Sequence, residues 1–438
     1  MYKLQRMTKL ILYFILLLSS VAGNAQDILH LQDAVNIALK NSLDIQLAEN
    51  DVEANTLLNN KGIAGGLPVV TASLTDNEQL SAINQKLNSG VNINRKAAAT
   101  NNLNSNVSAS ILLYNGNRVV ATKSRLAQLQ KQSQSLLNSQ IQDILGSVMT
   151  GYYDIVRQQS YLKTIEKSIE ASRQQLEIVQ TRQSVGLANN ADLFQAQIDL
   201  NALLQLQISQ QLIIDQAKTE LLRLLTLRPD SVINIQDTIL VDKTINLDQV
   251  LNNLHQNSNI IASEDQVRIN ELIVKETAAL RYPSVRANTG FNFNRSQAAA
   301  GNFLLNQSYG PTVGISLGIP IYNGSVFNRQ KKVAEIDVRN ARLGNQILIR
   351  DFNSQVVKSY QTYASTLKQL DTEQQNYLLS AQLLELALKR FQFKQATIVD
   401  VKNAQQSFEQ SGFRLVNLNY AAKSAEIELK RLGNQLGL

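Results

Sequence analysis

The 438-residue sequence contains no cysteine, which excludes disulfides, thiolate metal sites and a lipidated N-terminal Cys. Its two histidines, His30 and His255, stand in near-equivalent places in two short helical segments, where a helix-surface role is the simpler reading than a base or a ligand. Carboxylates do not cluster at metal-ligand spacing, so no catalytic constellation, no metal site and no cofactor is expected. Beyond the N-terminal region no stretch approaches the roughly 18 consecutive apolar residues of a membrane-spanning helix. Such a chain can cross a bilayer only with strands closed into a barrel. Aromatic residues are sparse, and Lys and Arg lie scattered among Asp and Glu without a basic stripe. That pattern argues against nucleic-acid binding.

The N-terminus carries a clear pattern. Lys3, Arg6 and Lys9 precede the apolar run Leu10 to Leu18, and Gly23-Asn24-Ala25 then offers small side chains to a signal peptidase. Residues 1–25 therefore read as a signal peptide; the apolar run is too short to span a bilayer as a helix. Removing those three cations takes the formal net charge from +7 to +4.

The remaining chain is written twice. Leu31-Gln-Asp-Ala-Val-Asn36 answers to Leu247-Asp-Gln-Val-Leu-Asn252 at an offset of 216. Tyr114-Asn115-Gly116 recurs as Tyr322-Asn323-Gly324 at an offset of 208, which then holds without a gap. Asp143 answers to Asp351, Val148 to Val356, Tyr152 to Tyr360, Asp192 to Asp400, and Ala196-Gln197 to Ala404-Gln405. A fixed period of this kind is the signature of a tandem repeat, with copies over 26–240 and 241–438.

Each copy reads as short helices, a strand, a loop, a strand and a very long helical hairpin. Strands are expected over about 68–76, 103–114, 284–295 and 311–322, from alternation. Val285, Ala287, Thr289, Phe291 and Phe293 alternate with Arg286, Asn288, Gly290 and Asn292, and Val313, Ile315, Leu317, Ile319 and Ile321 alternate with small residues. This suits a transmembrane barrel strand. It also suits a half-buried strand of a soluble sheet, but the signal peptide and the lack of further strands favour the barrel. Four strands cannot close around a lumen, so several chains must contribute. The polar stretches 76–102 and 296–309 are expected as external loops, the first of them unusually long.

Long helices are expected over about 118–185, 190–226, 326–393 and 398–433. Ile141, Val148, Ile155, Leu162, Ile169 and Leu176 are spaced seven apart, as are Ile349, Val356, Tyr363, Leu370, Tyr377, Leu384 and Phe391. A sustained seven-residue period marks coiled-coil packing. With no proline from 118 to 185, one helix of about 65 residues would run about 100 Å.

In this order, twice over, the motifs resemble the TolC family of outer-membrane efflux channels, and the resemblance covers nearly all of the mature chain. It rests on Leu31-x-x-Ala34-x-x-x-Ala38-Leu39-x-Asn41, on the strand endings Leu113-Tyr114-Asn115-Gly116 and Ile321-Tyr322-Asn323-Gly324, and on Arg182-x-x-Val185-Gly186-Leu187 followed by Asp192-Leu193 and Ala196-Gln197. The resemblance implies a mainly α fold with a β-barrel part. Each protomer would supply four transmembrane strands and long periplasmic coiled-coil helices to a trimeric α/β barrel. It further implies a homotrimer in outer-membrane lipid of a Gram-negative bacterium, a passive export duct rather than an enzyme. A periplasmic adaptor would couple the duct to an inner-membrane transporter, in a tripartite efflux or type I secretion system. A surface-exposed structural or adhesive protein with a helical stalk is the alternative, and a soluble periplasmic scaffold a more remote one.

The resemblance also marks two sets of residues. Val185, Gly186 and Leu187 match the tip motif that meets the adaptor, and Phe393, Lys394 and Gln395 occupy the second tip without the glycine. Gly186 equally suits a helix C-cap. Asp400 matches an aspartate that lines the closed periplasmic entrance, so three copies would form an anionic ring. The second aspartate of that pattern is Asn403 here, and the locking tyrosine and arginine are Phe391 and Ala396. The lock is thus weaker or differently built, with Asp192 and with Lys394 as the nearest replacement charge. Asp192 and Asp400 also suit plain helix N-terminal positions.

Overall fold

A computed structural model describes residues 28–301 and 303–436; the expected signal peptide lies outside the described residues. The elements are α1 (Leu31–Asn41), α2 (Leu43–Leu58), β1 (Val69–Lys86), β2 (Asn92–Tyr114), α3 (Arg118–Ser184), α4 (Asn190–Leu224), α5 (Leu247–Asn253) with a short 3-10 turn, α6 (Ser258–Ala279), β3 (Ser284–Ala298), β4 (Leu305–Gly318), α7 (Val326–Gln392) and α8 (Ile398–Leu432). The chain forms two compact units, one from residues up to Leu47, Asn138–Asn257 and Arg350 onward, the other from Ala48–Leu137 and Ser258–Ile349. Each unit draws on both sequence copies, so the repeat is not the unit of packing.

The second of these units holds an antiparallel sheet in the order β1-β2-β3-β4. Its register aligns the alternating residues into rows. One face carries Leu74, Ser105, Phe293 and Tyr309, then Ala72, Val107, Phe291 and Pro311, then Val70, Ala109, Thr289 and Val313, then Ile111, Ala287 and Ile315. The other face carries Thr71, Ser108, Gly290 and Thr312, and Ser73, Asn106, Asn292 and Gly310. Side chains bond across that polar face: Thr71 to Ser108 at 3.2 Å, Asn106 to Asn292, and Asn288 to Ser316 at 3.1 Å. The apolar face is open to its surroundings, with Val313 86% and Ile315 76% exposed. From Tyr309 to Leu317 it extends about 26 Å at about 3.3 Å per residue.

Two strand limits differ from the expectation. The stretch read as a long loop, 76–102, is mostly a hairpin: β1 pairs through Lys86 with Asn92, leaving a connection of 87–91. Residues 77–86 lack apolar alternation, yet every one can supply backbone to a ladder, and pairing needs only that. Conversely β4 ends at Gly318, short of 322, where Pro320 has no N–H to donate. The second connection is likewise shorter than 296–309, because β3 continues to Ala298 and β4 begins at Leu305.

Both second strands of a copy lead into a long helix by the same turn. Gly116 and Asn117 have φ of 67° and 64°, and Gly324 and Ser325 have φ of 66° and 63°. At Gly116 a Cβ would stand 2.6 Å from Tyr282 Cβ, so the residue is required both by its backbone and by the close approach. Within the same unit α6 is held to the start of α3 by Arg125–Glu276 at 2.8 Å and by Asp265, which accepts from Gln128 at 2.6 Å and Lys131 at 3.1 Å.

In the other unit the seven-residue seam is the core. Val148, Ile155, Ile169, Val356, Tyr363, Leu384 and Phe391 are buried, as are Ile165 and Val179 between them. Burying a side chain of this size contributes about 1.5–3 kcal/mol. The segment between α4 and α5 is fastened to the helices by polar contacts. The buried Tyr152 hydroxyl donates to the Leu29 carbonyl at 3.0 Å and to Asp237 at 3.3 Å, and burial pushes that phenol well up. Hydrogen bonds from Thr244 and Lys430 hold the Asp242 carboxyl down to about 2. Lys430 also bonds Glu426, which pairs with Lys423 at 2.9 Å.

Candidate functional site at the helical tips

The turns after α3 and after α7 belong to one unit and superpose in sequence at the offset of 208. A helix end leaves carbonyls without partners, and a residue with positive φ turns the chain so that following N–H groups reach them. Gly186 does this with φ of 76°: its N–H bonds the Gln183 carbonyl at 2.9 Å, and the Leu187 N–H bonds that of Arg182 at 2.7 Å. At the second tip Lys394 adopts the same geometry with φ of 63°, bonding Phe391 at 3.1 Å, while Gln395 bonds Arg390 at 2.8 Å. The missing glycine therefore does not change the turn. It places a Cβ-bearing residue in the left-handed region, at about 1–2 kcal/mol.

Apolar side chains stand out from both turns. Val185, Leu187, Phe194 and Ile198 at the first tip, and Phe393 and Val399 at the second, are exposed, Phe393 by 72%. Beneath them a shared core of Val179, Ala196, Leu384, Ala387, Phe391, Val401, Ala404 and Phe408 is buried. The amphipathic pattern thus continues to the end of each hairpin, with an extra apolar group on the outside.

The two return helices start alike and are capped differently. Asn189 caps α4 by accepting from the Asp192 N–H at 2.8 Å. Thr397 caps α8 in a reciprocal box: its hydroxyl oxygen accepts from the Asp400 N–H at 3.2 Å, and the Asp400 carboxylate accepts from the Thr397 N–H at 2.7 Å and hydroxyl at 2.8 Å. Those bonds, with the Arg390 charge nearby, hold the Asp400 carboxyl below the usual carboxylate range, so it stays ionised. Asp400 and Asn403 are both exposed. The capping and the entrance readings of Asp400 are compatible, because an exposed carboxylate keeps lone pairs free.

Two cross-links join the hairpins near their tips, and the sequence pattern points to neither. Arg182 donates to the Phe391 carbonyl and lays its guanidinium over the Phe391 ring at 4.4 Å. Lys402 on α8 pairs with Asp199 on α4 at 2.8 Å. Arg390, the counterpart of Arg182, instead donates to the Gln395 carbonyl within its own turn at 3.2 Å. The charge acting on Asp400 is that of Arg390, and the Lys394 ammonium, expected as the replacement charge, has no side-chain partner among the described residues. A pairing rule of three or four residues along a helix would not find Arg182–Phe391, which depends on two helices meeting. Among the described residues no group of His, Asp or Glu could hold a metal ion.

These features have counterparts in known proteins. The family model of outer membrane efflux proteins matches residues 34–226 and 251–435. Outer membrane protein TolC of Vibrio cholerae is 24% identical over 362 residues, covering 79% of this chain and 80% of that protein. The crystal structure of the outer membrane protein VceC from Vibrio cholerae has a TM-score of 0.73 at 17% identity, covering 92% of this chain and 96% of that one. The Campylobacter jejuni CmeC outer membrane channel has a TM-score of 0.75 at 16% identity over 92% of this chain and 86% of that one. The matched residues take in both sheet hairpins, both helical hairpins and both tips, and the chain belongs to the outer membrane efflux protein family, a family of Gram-negative outer-membrane channels and not of enzymes.

Proposed function

We propose that the chain is one protomer of a homotrimeric export duct, coupled through a periplasmic adaptor to an inner-membrane transporter. The observation that carries this reading is the sheet. It has an apolar face, a polar face and two outer strands, β1 and β4, each with one unpaired edge among the described residues. An open edge invites pairing with another chain. Three copies joined β1 to β4 would close a barrel of twelve strands, wide enough for water. The Asn, Ser, Thr and Gly rows would then line a hydrated lumen and the apolar rows would meet lipid over a height close to the roughly 25 Å of such bands.

The tips supply the coupling and the gate. Exposed Val185, Leu187 and Phe393 around Gly186, Lys394 and Gln395 offer an apolar contact for an adaptor hairpin. Asp400 forms a single anionic ring at the closed entrance, with Asn403 in the place of a second ring and Asp192 beside it. Gly186→Asp should abolish export of toxic compounds while heat-resistant trimers remain in the outer membrane; loss of the trimers themselves would make the glycine structural only. In single-channel recordings, Asp400→Ala should relieve cation block; unchanged block would remove Asp400 from the gate.

A further inference from the structure

The polar face of the sheet is almost free of charge. Along the paired register it carries Thr71, Ser73, Thr75, Asn104, Asn106, Ser108, Asn288, Asn292, Asn294, Ser308 and Thr312, and two ionised side chains, Arg286 and, beyond the irregularity at Ser81 and Ile83 near the hairpin connection, Arg95. Arg286 stands near the turn end of the strands, in the row of Leu112 and Ser316. There it lines a cavity of about 690 Å³ together with Arg118, the first residue of α3. Ser110, Ser284, Asn115 and Thr122 add hydrogen-bonding groups to its wall, and among the described residues no Asp or Glu lines it. Neither guanidinium has a hydrogen-bond or ion-pair partner among the described residues. The last acidic residue of α6, Glu276, is already taken by Arg125 at 2.8 Å. Two guanidiniums facing one cavity without a carboxylate repel each other, and a bound anion would relieve that. Their planar donors suit oxyanions in particular.

From this we infer that Arg118 and Arg286 form an oxyanion-binding collar at the turn end of the polar face, which selects for solutes bearing a phosphate, sulfonate or carboxylate. The inference rests on the polar face being a lumen. Between Arg95 at the hairpin end and the collar, an uncharged wall of amides and hydroxyls offers such a solute hydrogen bonds but no further charge. Three protomers would place six guanidiniums around one passage.

The test is anion block in planar bilayers of zwitterionic lipid, with tripolyphosphate added on the side of the β-hairpin connections, so that it travels along the polar face. The full-length protein should show concentration-dependent block. The half-blocking concentration should rise about tenfold in Arg286→Gln and again in the double variant with Arg118→Gln, in line with the loss of one charge-assisted hydrogen-bonding group at each step. Asn288→Asp, which puts a carboxylate in the neighbouring row of the same face, should weaken block without touching either arginine. Absence of block, or equal block in all variants, overturns the inference while leaving the channel reading intact; absence of any conductance would overturn the channel reading instead. Block that disappears when anionic lipid is added would place a lipid headgroup in the cavity and also overturn it.

Discussion

The two helical tips are the same turn made from different residues, and the difference separates backbone geometry from surface chemistry. Gly186 and Lys394 share a left-handed φ and the same pair of closing hydrogen bonds. Only Gly186 fits that conformation without cost. Arg182 reaches across to Phe391, whereas Arg390 folds back on its own turn. Of the two arginines, only that of the first tip reaches the other hairpin. Duplication fixed the scaffold, and divergence at single positions made the two ends unequal.

Breaking the shared core should have the largest effect. Phe391 is buried and lies under the Arg182 guanidinium, so Phe391→Ala should destabilise the tips by about 3 kcal/mol. Faster amide exchange over both tips, rather than the second alone, is the expected signature. Arg182→Ala comes next, at about 1–2 kcal/mol for the lost ring contact and hydrogen bond. Its counterpart Arg390→Ala should cost less than about 0.5 kcal/mol, as for an exposed residue bonded locally. Equal exchange rates in these two variants would erase the asymmetry between the tips.

Swapping the turn residues tests the backbone directly. Gly186→Ala should cost about 1 kcal/mol, and Lys394→Gly should gain a similar amount, each read as a shift in tip amide protection. At Gly186 no heavy atom stands within 4 Å of an added Cβ, so the cost should come from φ alone. The smallest effect should be that of acid. The Asp400 carboxyl is held below its ordinary value by Thr397. Its contribution to the α8 cap is therefore present above the unfolded carboxylate pKa and lost as pH falls through the lower folded one. Protection of the first amides of α8 should decline across that window, and Asp400→Asn should abolish the pH dependence.

Much of the fold was legible because helices and repeats are local. The seven-residue period and the absence of proline gave helices over 118–185 and 326–393, against Arg118–Ser184 and Val326–Gln392 observed. Strand limits were less legible. Residues 77–86 and 92–102 have no buried face to impose alternation, so nothing in their order distinguishes a paired ribbon from a polar loop. At the tips, Asp192 and Asp400 could be read by matching copies and Gly186 as a glycine just past a long helix, since caps are built from a few neighbouring residues. Arg182–Phe391, Lys402–Asp199 and the Arg118–Arg286 cavity could not, because each joins residues far apart in sequence.

The sequence by itself determined the duplication, the long helices, the two-faced strands and the family, since each is written in periodicities that short-range sterics and side-chain direction read out. Only the tertiary structure decided which arginine ties the tips, which charge acts on Asp400, and which side chains share a cavity at the end of the sheet. Those outcomes depend on register and helix contact, where a shift of one residue changes every partner.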